Sequence, residues 1–200
     1  EQFDSMCESF EKNKYVTVAN EDEILKFTDY YLHQYRLWSD SNISFPFSKT
    51  ASGNRIKLPD ELAYNREETV NAVLNKFGTP VGNNASEMMY DACKRVTDTL
   101  EYDAAYQNRN IDECLRDNKA VCWLYAKAVT LMLQNVGVEA ENLLVNNFGT
   151  NHMIVRARDG ERWVYCDPTA CDNIELERFG NLSYEDVVFH YKPFNGVHID

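Results

Sequence analysis

The chain has few basic residues and no cluster of them along the sequence. Its 200 residues include 20 Lys and Arg against 32 Asp and Glu, which gives a formal net charge of −12. A strongly acidic chain without a basic patch repels phosphate backbones and anionic lipid headgroups. The composition therefore argues against nucleic acid and anionic membranes as partners, and it tolerates basic peptides or amines better as substrates.

Long hydrophobic runs are also lacking. No stretch approaches the roughly 20 apolar residues that cross a bilayer, so we expect no membrane insertion of this chain. The sequence begins with Glu1-Gln2-Phe3 rather than with Met and a signal segment. We expect a mature chain from which any targeting segment has been removed. Six cysteines are many for a cytosolic protein of this size, which favours an extracellular or cell-surface location with a cytoplasmic one as the alternative.

Metal-binding motifs are missing as well. The sequence has no Cys-x-x-Cys, no His-Glu-x-x-His and no cation-loop pattern, so neither zinc nor calcium is indicated and no cofactor is expected. Cysteines stand at six positions: Cys7, Cys93, Cys114, Cys122, Cys166 and Cys171. Pairs of Cys93 with Cys114 and of Cys166 with Cys171 are conceivable, but spacing fixes no connectivity and a reduced form stays open.

The chain does have enough apolar material for a sizeable core, with 44% hydrophobic and 12% aromatic residues. Such a content predicts a folded globular chain. Residues 1–60 are predicted to be an appended helix and strand region, and residues 61–200 a catalytic core. No internal repeat or low-complexity tract interrupts either part.

Local patterns predict elements along the appended region and the core. Asn20 with Glu23 is typical of a helix start, whereas residues 43–47 alternate like a short strand and residues 48–60 are predicted to be a loop. A helix over residues 66–77 and a break over 78–84 follow.

Two further patterns flank the central part of the core. A helix capped by Ser86 is predicted to lead into it. Towards the end of the chain, Ser183 to Asp186 begins a short helical turn and residues 187–191 are predicted to form a closing strand.

A strongly apolar helix is predicted after Asp117 and Asn118, either of which is a good N-cap. Cys122 lies in its first turn, apolar residues continue to Leu133, and Gly137 is placed to end it. A helix that is apolar nearly all round is a buried one. Because free N–H groups and the positive end of the helix dipole lie at the first turn, we expect a stabilised thiolate at Cys122 and a place for an oxyanion.

His152 and Asp167 flank the dipeptide Asp-Gly at 159–160, which predicts a hairpin with a two-residue type I′ turn. With that turn, Arg158 pairs with Glu161 and His152 falls directly opposite Asp167. Opposed residues on one face have Cβ atoms about 4.5–5.5 Å apart, so the carboxylate can orient the imidazole as a base.

These residues resemble the transglutaminase-like superfamily, whose members carry a Cys-His-Asp triad in a papain-like arrangement. The matching pieces are Tyr102-Asp103, residues 121–126, Gly137-Val138, His152 and residues 159–169. Their order looks most like the secreted or surface-attached members of Gram-positive bacteria. The resemblance covers residues 86–191. It implies an α+β fold with a papain-like transglutaminase core, in which a central buried helix carrying Cys122 packs against an antiparallel sheet carrying His152 and Asp167.

The resemblance also implies a reaction: thiol-dependent acyl transfer on peptide or amide bonds through a thioester on Cys122, with His152 and Asp167 as the other catalytic residues. We expect a protein or peptide substrate and hydrolysis, as by a protease or amidase, because nothing here resembles the extra domains of cross-linking enzymes. A protein-glutamine transglutaminase is one alternative. A non-catalytic surface binding module with a remnant triad is another.

Three other features bear on the site. Position in the family makes Tyr102 a second oxyanion donor, with packing at the end of a helix as the alternative. Leu124 stands where the family usually has Gly, and Met153-Ile154-Val155 stands where it usually has Ala-Trp-Asn. These two changes alter the substrate pocket and are the reason for keeping the binding-module alternative.

Overall fold

A computed structural model describes residues 2–35, 44–59, 66–105 and 111–193. The chain forms two compact units, residues 1–69 and 70–200. The predicted division after residue 60 lies outside the described residues and stays a prediction. No helix within the described ranges is long and apolar enough to cross a membrane.

The first unit contains helices packed on a small sheet. The elements are α1 (Gln2–Asn13), β1 (Tyr15–Val18), α2 (Glu21–Tyr30), a π-helical turn (Tyr31–Tyr35), β2 (Phe47–Thr50) and β3 (Gly53–Lys57). The strands pair antiparallel in the order β1-β3-β2. Val16 and Ile56 on one face of this sheet pack with Phe10 and Phe27 of the helices in a common core.

The predicted helix start at Asn20 is confirmed, because the Asn20 side chain accepts the backbone N–H of Glu23 at 3.0 Å. The predicted loop over residues 48–60 is wrong, since most of it forms the hairpin of β2 and β3. Polar side chains on the solvent face of that hairpin hide its alternation. Of the strand predicted over residues 43–47, residue 43 lies outside the described residues and only Phe47 is in a strand.

Helix α3 (Arg66–Phe77) has the predicted bounds and spans the division between the units. The second unit then contains the helices α4 (Ala85–Thr97), α5 (Ile111–Asp117), α6 (Cys122–Asn135), α7 (Pro168–Asn173), α8 (Leu176–Phe179) and α9 (Tyr184–His190). Its strands are β4 (Glu101–Tyr102), β5 (Lys119–Ala120), β6 (Ala140–Asn147), β7 (Thr150–Asp159), β8 (Arg162–Cys166) and β9 (Lys192–Pro193). An antiparallel sheet has the order β8-β7-β6-β9, and β4 pairs parallel with β5. The α+β class is confirmed.

Helix α6 is the buried centre of this unit, as predicted, and residues 124–133 are all buried. The helix begins later than expected. Asn118 has a φ of +57°, and the next two residues form β5, so the N-cap is Val121 rather than Asp117 or Asn118. The predicted end is confirmed, since Gly137 has a φ of +81° and its N–H donates to Gln134.

The hairpin of β7 and β8 forms, but its turn lies one residue later than predicted. Asp159 pairs with Arg162, which leaves Gly160 and Glu161 in the turn. The predicted pairing of Arg158 with Glu161 is therefore wrong. Gly160 has a φ of +65°, and glycine at the first of two turn residues is the preference of a type II′ turn rather than of type I′.

This change displaces the register by two residues and alters how His152 and Asp167 meet. Strand β8 ends at Cys166, which pairs with Val155. Asp167 therefore follows the strand, and it lies diagonal to His152 rather than directly opposite. Because side chains alternate with a period of two, a displacement by two leaves both on the same face of the sheet.

Two other expectations are corrected at helix starts. Asn84 rather than Ser86 caps α4, and the Ser86 hydroxyl instead donates to Asp159 at 2.8 Å. The closing strand predicted over residues 187–191 is a helix up to His190. The capping box of Ser183 starts α9. The stability that this cap gives the helix outweighs the β-propensity of the valines and the aromatic residue that follow.

Candidate active site

His152 and Asp167 form a buried hydrogen bond. Nε2 of His152 lies 2.7 Å from Oδ2 of Asp167, and the two side chains are 11% and 1% exposed. Strand β7 carries the histidine, whereas Asp167 lies between the end of β8 and the first residue of α7. The sheet therefore positions the imidazole, and the strand-to-helix connection positions the carboxylate.

Asp167 is held at both of its oxygens. Oδ1 accepts the backbone N–H of Ala170 at 3.0 Å, which makes Asp167 the N-cap of α7. Oδ2 accepts the hydroxyl of Tyr191 at 2.5 Å in addition to its bond with His152. These contacts fix the direction in which the carboxylate faces the imidazole.

Tyr191 is a site residue that the sequence pattern did not indicate. Its side chain is buried, and its ring stacks on His152 with 5.9 Å between centroids. Burial and the neighbouring charge of Asp167 raise the pKa of Tyr191 well above its usual range, so the phenol stays a donor. The signal that could have found it is the capping box at Ser183, which implies a helix that delivers Tyr191 at its end.

The surroundings of His152 favour its protonated, imidazolium form. Burial opposes the charge, but hydrogen bonds to Asp167 and to Cys122 prevail and raise the pKa of His152 from 6.5 to about 10. With Nε2 turned to Asp167, Nδ1 is the ring nitrogen that remains for Cys122. A cation beside a thiol stabilises the thiolate.

Cys122 is the first residue of α6 and the one partly exposed cysteine among six, all of which carry free thiols. Its helix has an aliphatic N-cap, Val121, whose carbonyl accepts the N–H of Leu124 at 2.9 Å. No side chain of the described residues caps this helix start. The first turn of the helix that carries the thiol therefore has no capping carboxylate or hydroxyl from the described residues.

Strand pairing brings Tyr102 close to the start of α6. Tyr102 of β4 pairs with Ala120 of β5, and Ala120 stands two residues before Cys122. The N–H of Asp103 donates to the carbonyl of Ala120 at 2.8 Å, which fixes that strand pair. The oxyanion role of Tyr102 stays a prediction, as does its alternative role in packing.

Three buried thiols lie within the electrostatic influence of the Asp167 carboxylate. Sγ of Cys93 is 3.2 Å from Sγ of Cys171, and Cys93 also contacts Cys166. Neither disulfide that the sequence made conceivable, Cys93 with Cys114 or Cys166 with Cys171, is formed. Burial raises the pKa of Cys93 well above its usual range and that of Cys114 to about 12. Among the described residues, no three His, Cys, Asp or Glu side chains are grouped to hold a metal ion.

Comparison with protein families identifies this part of the chain. A family profile described as the transglutaminase-like superfamily matches residues 72–168, a segment that includes Cys122, His152 and Asp167. Residues 72–168 belong to the transglutaminase-like superfamily. The family resemblance is thereby confirmed, whereas the likeness to Gram-positive surface proteins stays a prediction. A comparison of this transglutaminase-like chain with curated proteins found no match.

Three solved structures are similar to the transglutaminase-like chain. A candidate cysteine protease from Cytophaga hutchinsonii is 13% identical, with a TM-score of 0.43 and coverage of 64% of this chain and 62% of that one. A protein described as a TGase is 11% identical, with a TM-score of 0.43 and coverage of 63% and 44%. A candidate protease from Parabacteroides distasonis is 17% identical, with a TM-score of 0.39 and coverage of 64% and 30%. The match spans less than two thirds of the length of each of these proteins.

Proposed function

We propose that this transglutaminase-like chain transfers acyl groups from peptide or amide bonds of a protein substrate through a thioester on Cys122. The observation that carries the proposal is the position of His152, which is buried, hydrogen-bonded to Asp167 at 2.7 Å and close enough to Cys122 for that thiol to raise the pKa of His152. A thiol beside a base that a third group orients is the arrangement that nucleophilic catalysis needs.

The proposed reaction has two halves. The thiolate of Cys122 attacks the carbonyl carbon, while backbone N–H groups at the start of α6 stabilise the oxyanion. The C–N bond then breaks, and the imidazolium of His152 gives its proton to the leaving amine. In the second half His152 accepts a proton from the attacking acceptor, the thioester opens and Cys122 is released. Asp167 keeps the ring oriented throughout.

Water is the acceptor that we propose, which makes the chain a protease or amidase. A lysine amine as the acceptor gives the alternative, a protein-glutamine transglutaminase. The family match supports the thiol-dependent kind of reaction and is common to both acceptors. An extracellular or cell-surface site of action stays part of the proposal, and no described residue tests it.

Intact-mass spectrometry of acid-quenched mixtures tests the proposal. The chain is mixed with unfolded casein peptides, with and without a fluorescent primary amine, beside Cys122→Ala and the matched control Cys114→Ala. We expect an acyl adduct that only Cys122→Ala lacks, and products that end in a free carboxylate.

Products that carry the amine in place of a free carboxylate would establish the cross-linking alternative. A chain that forms no adduct with any peptide, although its Cys122 reacts with iodoacetamide, would instead support the binding module.

A further inference from the structure

The sheet of the first unit has two chemically different faces. Val16 and Ile56 pair on the inner face and belong to the core shared with the helices. Tyr15 pairs with Lys57 on the outer face, which Arg55 shares two residues along the strand. All three outer-face side chains are exposed, in contrast to the buried inner pair.

A cavity of about 470 Å³ opens on this outer face, a size within the range of ligand sites. Tyr15 on β1 and Phe47 on β2 both line it and are 44% and 51% exposed. Tyr15 belongs to the outer face, whereas Phe47 pairs with Ile56 and therefore lies at the edge of the inner face. An exposed aromatic ring in a concave surface is a common feature of recognition sites. We call this feature the outer-face cavity.

Three cations line the outer-face cavity, although the chain as a whole has a net charge of −12. They are Lys14, Arg55 and Lys57. Within the described part of the chain no carboxylate pairs with any of them, whereas Lys49 of the same sheet pairs with Glu21 at 2.9 Å. The guanidinium of Arg55 lies 4.5 Å from the ring centroid of Tyr15, a distance at which a cation is attracted to the ring.

Lys14 is held in place by its backbone. Its φ is +65°, a conformation that non-glycine residues rarely adopt. The N–H of Lys14 donates to Phe10 at 2.8 Å, and its carbonyl accepts the N–H of Leu58 at 3.0 Å. These two bonds connect the backbone of Lys14 to α1 and to the residue after β3. The side chain of Lys14 therefore extends towards the cavity from a well-anchored backbone.

We propose that the outer-face cavity binds an acidic peptide segment that carries an aromatic side chain. Three cations without carboxylate partners in the described part of the chain complement its charge, and the exposed ring of Tyr15 receives its aromatic group. The cavity spans three strands, roughly 10 Å, which accommodates about three residues of an extended peptide. The site lies within residues 1–69 and is independent of the reaction proposed for Cys122.

NMR titration of the full chain tests the proposal. The probe is the capped pentapeptide Glu-Glu-Trp-Glu-Glu, with the Gln-Gln-Trp-Gln-Gln peptide as its neutral control. We expect the amides of Tyr15, Phe47 and Arg55 to shift with the acidic peptide and much less with the neutral one. Equal shifts with both peptides, or no shift at millimolar peptide, would overturn the proposal.

Charge-removing variants locate the site. Arg55→Gln and Lys57→Gln should each weaken binding about two- to fivefold, the range of one partly exposed ion pair. Lys14→Asn should do the same without loss of folding, because Asn tolerates a positive φ. Lys26→Gln, on the exposed side of α2, is the matched control and should leave affinity unchanged.

Two results would assign the cavity to another occupant and so contradict the proposal. One is indole-3-acetate binding as tightly as the peptide, which would indicate a small aromatic acid. The other is concentration-dependent dimerisation that Arg55→Gln abolishes, which would indicate a second copy of the chain.

Discussion

Two side chains donate to one oxygen of Asp167 in the interior of the protein. His152 and the Tyr191 hydroxyl both contact Oδ2, at 2.7 and 2.5 Å. Each bond offsets part of the desolvation that a buried carboxylate suffers. Hydrogen bonds in such a low-dielectric network influence one another. The reactivity of the pair of His152 and Cys122 should therefore depend on Tyr191.

Tyr191→Phe tests that dependence. The variant keeps the ring that stacks on His152 and removes the hydroxyl donor. We expect the rate of acyl-adduct formation on Cys122 to fall about tenfold, which corresponds to the loss of one hydrogen bond to a charged group. Tyr184→Phe, an exposed tyrosine of α9, is the control. Equal rates for both variants would show that Tyr191 only fills space.

The raised pKa of His152 predicts how stability depends on pH. A folded pKa of about 10 against an ordinary 6.5 means that protonation of His152 stabilises the fold fully below pH 6.5 and not above pH 10. His152→Gln should be less stable than the parent chain by about 3 kcal/mol at pH 6, the scale of a broken buried pair.

That difference should shrink as the pH rises from 6.5 towards 10, when measured by urea unfolding at fixed ionic strength. His190→Gln, a histidine for which the structure shows no bond to a carboxylate among the described residues, is the control. A difference that stays constant over this range would contradict the charged state of His152.

Among the helices and strands, α9 matters to the site because it ends at the residue before Tyr191. Its start is a complete capping box, in which the Ser183 hydroxyl accepts the N–H of Asp186 at 3.1 Å and the Asp186 carboxylate accepts the N–H of Ser183 at 2.9 Å. Few of its side chains are buried, and Val187 is the one assigned to the core. The capping box at its start therefore supplies much of the stability of α9.

Ser183→Ala should lower the free energy of unfolding by about 1 kcal/mol. It should also slow the reaction of Cys122, because a frayed α9 loosens Tyr191. Ser183→Thr keeps a capping hydroxyl and should restore both properties. Unfolding measured by circular dichroism and the adduct rate give the two readouts, and a loss of stability with no loss of rate would separate α9 from the site.

The sequence predicted those elements that are set by local pattern. Helix α3 has its predicted bounds, and the apolar run after Cys122 forms the buried helix α6. The N-cap of α6 could not be read locally, since Asn118 is drawn into a turn by the pairing of β4 with β5. That pairing joins residues far apart in sequence, which no local signal reports.

The candidate site was predicted in part for a similar reason. The period of two put His152 and Asp167 on one face for any two-residue turn, but the register depended on which two residues occupy that turn. Tyr191 escaped prediction because the residues before it have strand-like side chains. Their helical state follows from Ser183 and not from their own propensity.

The chain as a whole consists of two units, and each has a core of its own. The aromatic cluster around Phe10 and Ile56 lies within residues 1–69, whereas α6 and the sheet of β6 to β8 lie within residues 70–200. Cys122, His152, Asp167 and Tyr191 all belong to the second unit. All four of these side chains therefore come from the second unit.

Residues 66–200 expressed alone, which keep α3 whole, should fold and should keep the reactivity of Cys122 to within about twofold, because the core of the second unit is complete without the first. Circular dichroism and the rate of Cys122 alkylation check this prediction. The fragment carrying Cys122→Ala controls for labelling of the buried thiols. A fragment that folds but loses its fast alkylation would show that the first unit contributes to the site.

The central claim is that Cys122 is an activated thiol paired with the imidazolium of His152. The most direct measurement is the alkylation rate of Cys122 against pH, read by peptide mass spectrometry on the native chain beside His152→Ala. The account predicts fast labelling at mildly acidic pH that slows in the variant. Slow labelling that rises only at alkaline pH, and that is indifferent to His152, would contradict it.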